Sequence, residues 1–247
     1  MKSLKEKVIL VTGASKGMGA AIAKKLASEG AKVVVNYGGD KEGADAVVDA
    51  ITAAGGTAVA IQTNVADRKQ LKGLFQAVLK KYGKLDVLVN NAGVYQFRPL
   101  PEIDETDFDK QFSINVKGLL FACQEAASAF GDHGGSIINI GSLSSRRPGA
   151  TATVYSATKA AVEAITKSLA AELAPREILV NCVLPGATET EGLNQHLAGA
   201  KDYLTTLIPL GRLGRPEEVA NVVAFLASDE SSWMTGELVG VGGGMGL

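Results

Sequence analysis

Two side chains in the run VYSATKAAV, residues 154–162, could together move a proton: the phenol of Tyr155 and the ammonium of Lys159. Spaced i and i+4, they share one face of a helix with Cβ atoms about 5–6 Å apart. A free phenol titrates near about pH 10. A cation fixed beside it favours the phenolate and makes proton exchange possible nearer neutrality. The same spacing also suits an ordinary part-exposed helix, so the surrounding chain has to separate the two readings.

A second chemical signal lies near the start. The segment TGASKGMG, Thr12–Gly19, carries glycines at 13, 17 and 19. Glycines let the backbone turn tightly and approach a phosphate with no Cβ in the way. A helix beginning near Gly17 would aim free N–H groups and the positive end of its dipole at the same spot. The spacing is GxxxGxG, not the commoner GxGxxG fingerprint.

The elements that must position these groups alternate along the chain. Short β-branched apolar runs stand at 7–13, 31–37, 57–63, 85–91, 135–142, 178–186 and 236–244. Their near-continuous hydrophobicity predicts strands covered on both faces. Helix-like stretches occupy 17–29, 41–54, 67–82, 104–130, 153–174 and 216–228. Asp67 and Asp104 are placed to cap helices, and Gly30, Gly55 and Gly83 to end them. Pro216 suits a first helical turn, with Glu217 and Glu218 at the positive end of the dipole. This alternation predicts an α/β fold, a doubly wound parallel sheet with helices on both faces. No linker interrupts it, so residues 1–247 read as a single domain. The exception is 187–215, which breaks the alternation after the sixth strand and is expected to form a lid over a site.

Composition narrows the function. Of 247 residues, 25 are Lys or Arg and 26 Asp or Glu, a net charge of −1. That balance offers no general attraction for nucleic acid or an anionic membrane. No run approaches the roughly 20 apolar residues that span a bilayer, and the N-terminal segment lacks the pattern of a secretory signal. Cys123 and Cys182 are too far apart in sequence for a CxxC motif, and His133 and His196 have no ligand-spaced neighbours, so no metal site is expected. A reducing, cytoplasmic setting is the default.

Taken in order, TGxxxGxG, NNAG at 90–93, a serine in GSLSS and YSATK resemble the short-chain dehydrogenase/reductase family. The runs NVKG (115–118), LPGATET (184–190), RLGRPEEVA (212–220) and the glycine-rich ending extend the resemblance over nearly the whole chain. It implies a Rossmann-like sheet of seven parallel strands, a nicotinamide cofactor, and hydride transfer between a carbonyl and an alcohol. In that scheme Tyr155 is the proton donor to the substrate oxygen. Lys159 lowers its pKa and binds the nicotinamide ribose, Ser142 donates to the substrate oxygen, and Asn115 holds a water linking Lys159 to solvent. Gly13, Ser15, Lys16, Gly17, Met18 and Gly19 would form the phosphate loop. Asn64 and Val65 would lie by the adenine, with Asn64 replacing a more usual aspartate. Asn91 would brace the sheet while Ala92 and Gly93 leave room beside the adenosine ribose. Pro185, Gly186, Thr188 and Thr190 would border the nicotinamide.

No carboxylate stands at the end of the second strand, where one would repel a 2′-phosphate. Asn36 takes that position, and Lys16 matches a basic position of NADP-preferring relatives. NADP(H) is therefore the expected cofactor. The substrate pocket is expected to draw on Tyr95, Gln96, Phe97, Ser142, Leu143, Ser144, Tyr155, Leu193, His196 and Tyr203, and to take a small-molecule carbonyl or alcohol. Arg146 and Arg147 read as a solvated pair. A general carbonyl reductase is favoured, with a 3-oxoacyl-carrier-protein reductase or a sugar or polyol dehydrogenase as alternatives. A non-catalytic dinucleotide sensor is the remote one. The resemblance also implies a homotetramer. One departure stands out: Gly242 occupies a place where the family usually has aspartate.

Overall fold

The computed structural model describes residues 4–191, 199 and 201–246. Seven parallel strands form one sheet in the order β3-β2-β1-β4-β5-β6-β7. They are β1 (Val8–Val11), β2 (Lys32–Tyr37), β3 (Thr57–Gln62), β4 (Val87–Asn90), β5 (Gly135–Ile140), β6 (Ile178–Pro185) and β7 (Leu238–Val241). The central runs are hydrophobic throughout because alternate residues feed two different cores. Ile9 and Val11 of β1 face one layer, built on α1 (Gly17–Ser28), α2 (Lys41–Ala53) and α8 (Pro216–Ala227). Val8 and Leu10 face the other, which contains α3 (Arg68–Tyr82), α5 (Leu119–Ala129) and α6 (Thr153–Leu173). The edge strands differ from expectation: β3 and β7 are only part-buried, having neighbours on one side alone.

Strand order reverses at β1, which pairs with β2 on one side and β4 on the other. Chains leave β1 and β4 in opposite directions there, opening a crevice at the strands' carboxyl ends. Local chemistry fixes the helices around it. Asp67 and Asp104 accept from backbone N–H groups of the first turns they cap, and Asp40 does the same for α2, which the sequence reading had not assigned. Gly30, Gly55 and Gly83 follow α1, α2 and α3 with positive φ, where a side chain would be strained.

The stretch 104–130 is not one uniform helix. α4 (Glu105–Phe112) passes through a π-helical turn, Ser113–Gly118, before α5 begins. Gly118 admits the Val65 carbonyl where a Cβ would stand only 2.9 Å from its oxygen. Segment 187–215 leaves β6 and returns to α8 through a narrow neck. Thr188 pairs with Gly214, and Gly214 N–H donates to Ala187 O at 3.0 Å. Within it lies α7 (Lys201–Thr206), tied back by a 2.6 Å ion pair between Lys201 and Glu189. Among the described residues no helix is long and apolar enough to cross a membrane.

Candidate active site

The four residues that would carry the chemistry come from three elements and converge beside the crevice. Tyr155 and Lys159 lie on the first turns of α6, Ser142 follows β5, and Asn115 sits in the π-helical turn. Such turns widen the helix and are frequent at functional sites. The Asn115 amide is buried and fully engaged. Its Oδ1 accepts from Val94 N–H at 2.8 Å, and its Nδ2 donates to Val94 O at 2.8 Å and to Thr158 Oγ1 at 3.1 Å. The side chain thus fastens the loop after β4 to α6.

Lys159 is buried and donates from Nζ to Ile140 O at 2.8 Å, anchoring α6 to the end of β5. Burial pulls its ammonium down to about 8. The amine lies 5.7 Å from the centroid of the Tyr155 ring. The acidified phenol expected from this pair is not what the arrangement holds. Burial raises the Tyr155 pKa above its ordinary value, and the opposing influence is a hydrogen bond with Ser142. Ser142 also caps the short turn Leu143–Ser145, accepting from Ser144 N–H at 3.1 Å. Its capping role and its place against the phenol coexist.

The dinucleotide reading can be tested on the glycine loop. Gly13 and Gly17 have positive φ, and a Cβ on Gly13 would come within 2.8 Å of Ala92 Cα. A Cβ on Gly19 would come within 2.4 Å of Asn91 Nδ2. α1 begins at Gly17 with Lys16 in the capping position and no side-chain hydrogen bond to its first turn, unlike the Asp-capped α2, α3 and α4. Close backbone approach and a bare helix N-terminus fit a phosphate-bearing group. Thr12, which the sequence reading passed over, organises this corner. Its Oγ1 accepts from Asn91 N–H and Ala92 N–H, each at 3.0 Å, while Asn91 Nδ2 donates to Thr12 O and Gly13 O. Asn91 therefore braces the sheet as expected.

Asn36 is differently employed. It is buried, accepts from Gly13 N–H at 3.3 Å, and donates to Ile61 O and Thr63 O. These bonds tie β1 and β3 to β2, so the side chain bolts the sheet together. Ser15 is part-buried and Lys16 exposed at the loop's rim. Asn64 is exposed and folds its Oδ1 onto Ala66 N–H at 3.0 Å; Val65 beside it is buried. Gly93 faces both Asn115 Oδ1 and Lys159 Nζ, which would lie 3.4 and 3.7 Å from a Cβ there.

A cavity of about 170 Å³ opens beside these groups. Met18, Tyr95, Phe97, Ser142, Leu143, Ser144, Tyr155, Pro185, Gly186, Thr188 and Thr190 line it, so nicotinamide-side and substrate-side expectations meet in one space. The Tyr155 ring is enclosed edge-on by Tyr95 and Phe97, each 6.0 Å away between centroids. Tyr203 is a correction. It points outward from α7, 65% exposed, and its neighbour Leu204 lines the cavity instead. On a helix this short, one residue's rotation separates wall from surface. Gln96 is exposed and is not in the wall. Leu193 and His196 lie outside the described residues. Arg147 and Met245, from the turn after Ser142 and from the tail, join the wall, as does Ala187.

A seven-stranded doubly wound sheet with a Tyr–Lys–Ser–Asn group at its crevice defines a class, the short-chain dehydrogenase/reductases, and the chain belongs to that family of oxidoreductases. The family model described as enoyl-(acyl carrier protein) reductase matches residues 13–246. An uncharacterised oxidoreductase of Methylorubrum extorquens is 52% identical over 99% of this chain and 100% of its own. A 3-oxoacyl-acyl-carrier-protein reductase of Staphylococcus aureus is 44% identical over 97% of this chain and 98% of its own. The solved structure of a Burkholderia cenocepacia short-chain dehydrogenase in complex with NADP superimposes with a TM-score of 0.93 at 38% identity, covering 99% of this chain and all of that one.

Proposed function

We propose that this chain is an NADP(H)-dependent ketone reductase in which Tyr155 gives the proton to the carbonyl oxygen. The observation that carries the reading is the placement of Tyr155 and Ser142 together on the wall of one largely apolar cavity, beside Pro185, Gly186, Thr188 and Thr190. A bound nicotinamide supplies the hydride when present. The protein's own task is then to place the carbonyl, stabilise charge growing on its oxygen, and protonate it. Ser142 and Tyr155 offer two donors to that oxygen, preorganised where water is partly excluded. Burial keeps Tyr155 protonated, the form a donor in reduction requires. Lys159, fixed on Ile140 O, faces Gly93, and in this reading would hold the nicotinamide ribose. Asn115 holds the loop that carries Tyr95 and Phe97, and a water carried beside it would connect Lys159 to solvent.

The preference for NADP(H) rests on the missing carboxylate at positions 36–39 and on Lys16 at the loop's rim. The Burkholderia neighbour's complex with NADP supports it. Segment 187–215 is read as a lid hinged at its Thr188–Gly214 neck, and the chain as one domain. The likeness to the Staphylococcus 3-oxoacyl-carrier-protein reductase favours an acyl thioester as a second reading. Both free cysteines are buried, in keeping with a reducing cytoplasmic setting.

The test is NADPH oxidation against a panel of ketones, 3-oxoacyl thioesters and sugars, run with NADH in parallel. Tyr155→Phe is expected to bind NADPH normally and to lose at least about 100-fold in kcat, the usual worth of a positioned acid. Lys16→Ala is expected to raise KM for NADPH and leave that for NADH unchanged. An unaltered kcat in the first variant, or equal use of both cofactors by the wild type, overturns the corresponding part.

A further inference from the structure

The neighbouring arginines after Ser142 read alike in sequence and stand differently in the fold. Arg146 turns to α6, where its guanidinium meets Glu163 Oε2 at 3.2 Å. Glu163 also accepts from Ser145 Oγ, so that carboxylate is committed. Arg147 turns the other way, into the cavity wall, and donates from one terminal nitrogen to Met245 O at 3.3 Å. Among the described residues no carboxylate lies within ion-pair distance of it. It is also the one charged side chain among the described residues of that wall; its companions include Met18, Phe97, Leu143, Leu204 and Met245. The stretch 192–198, GLNQHLA, contains no acidic residue.

A planar guanidinium presents five N–H donors in a fixed fork matched to carboxylate and phosphate oxygens. Among the described residues a single backbone carbonyl, Met245 O, holds it, and the rest of that fork has no other partner there. Arg147 is itself exposed at the cavity's rim, so its pull on an anion is shared with water, and its place as the one charged group of the described wall gives it directional value for a bound substrate. We infer that Arg147 is a specificity-determining residue, and that the preferred substrates are ketones bearing an anionic group, a carboxylate or a phosphate, on the arm pointing away from Tyr155. This rests on the ketone-reductase reading and narrows its substrate class.

The experiment compares matched pairs with NADPH: 4-oxopentanoate and its methyl ester, the same pair lengthened by one, two and three methylenes, and phosphate-ended ketones of equal length. The wild type is expected to favour the best-fitting acid over its ester by about tenfold or more in kcat/KM, as one charge-assisted pair is worth. Arg147→Gln should abolish that preference through KM, leave the esters within about twofold, and Arg147→Lys should restore part of it. The phosphate arm shows which anion fits. Equal loss for acids and esters in Arg147→Gln would mean a structural role only and overturns the inference, as does a wild type indifferent to charge while neutral ketones turn over normally. If no ketone is reduced at all, the parent reading fails. Titration calorimetry with hexanoate then decides this one separately, weaker binding to Arg147→Gln supporting it and equal binding overturning it.

Discussion

At the residue scale, Lys159 makes a statement about stability that can be read without substrate. Its folded-state pKa, about 8, lies below the usual 10.5 of lysine. Below about pH 8 both folded and unfolded chains hold the proton, and this group contributes no slope. Between there and the unfolded value the unfolded chain binds more protons, so folding gains stability as pH rises. Tyr155 has the opposite sign, since its raised pKa makes the unfolded phenol ionise first and erodes stability above about pH 10. Thermal melts of the wild type should therefore gain on those of Lys159→Met as the pH rises from 8 towards 10. Parallel curves would show that the ammonium is not held out of water. The tyrosine and lysine became legible only when their spacing was joined to the other motifs along the chain. What the sequence hid is what each group meets: the amine gives one of its three donors to Ile140 O, and the phenol is tuned by burial and Ser142.

At the scale of elements, the boundaries were largely readable because the determinants are local. Asp67, Asp104, Gly30, Gly83 and Pro216 each act within one turn of their own position. Features depending on distant partners were not readable. The buried chain from Asn90 Nδ2 to Asn139 Oδ1 and from Asn139 Nδ2 to Thr166 Oγ1 joins β4, β5 and α6, yet no sequence pattern pairs those residues. Asn36 takes the strand-end position expected beside the cofactor, and its side chain also meets three partners inside the sheet that no sequence pattern announces. Gly242, the departure from the family's aspartate, has a similar cause. A Cβ there would stand 2.2 Å from Leu143 Cδ1, so the leucine after Ser142 occupies the volume a side chain would need. Gly242→Ala is expected to cost about 0.5–1.5 kcal/mol, since the tip of Leu143 must turn aside. Combined with Leu143→Ala, it should cost less than the sum of the two single changes. Urea denaturation of the four proteins in that cycle gives the coupling, and strict additivity would contradict the packing explanation.

At the scale of the whole molecule, apolar surface is left where another copy could cover it. Phe108 and Phe112 stack at 4.4 Å on α4, with Phe108 44% exposed; Leu120 is part-exposed on α5, and Trp233 is almost wholly so. We expect a homotetramer using the α4–α6 face for one contact and the C-terminal region for another, and light scattering at assay concentration should return four chain masses. A monomeric mass would reject it. The tail has a further consequence. Side chains at Gly243 and Gly244 would collide with Ile208 and Pro209, while Met245 both lines the cavity and receives Arg147. Bulk added just beyond this turn is expected to alter the cavity it walls, and carboxyl-tagged and untagged preparations should then differ in KM.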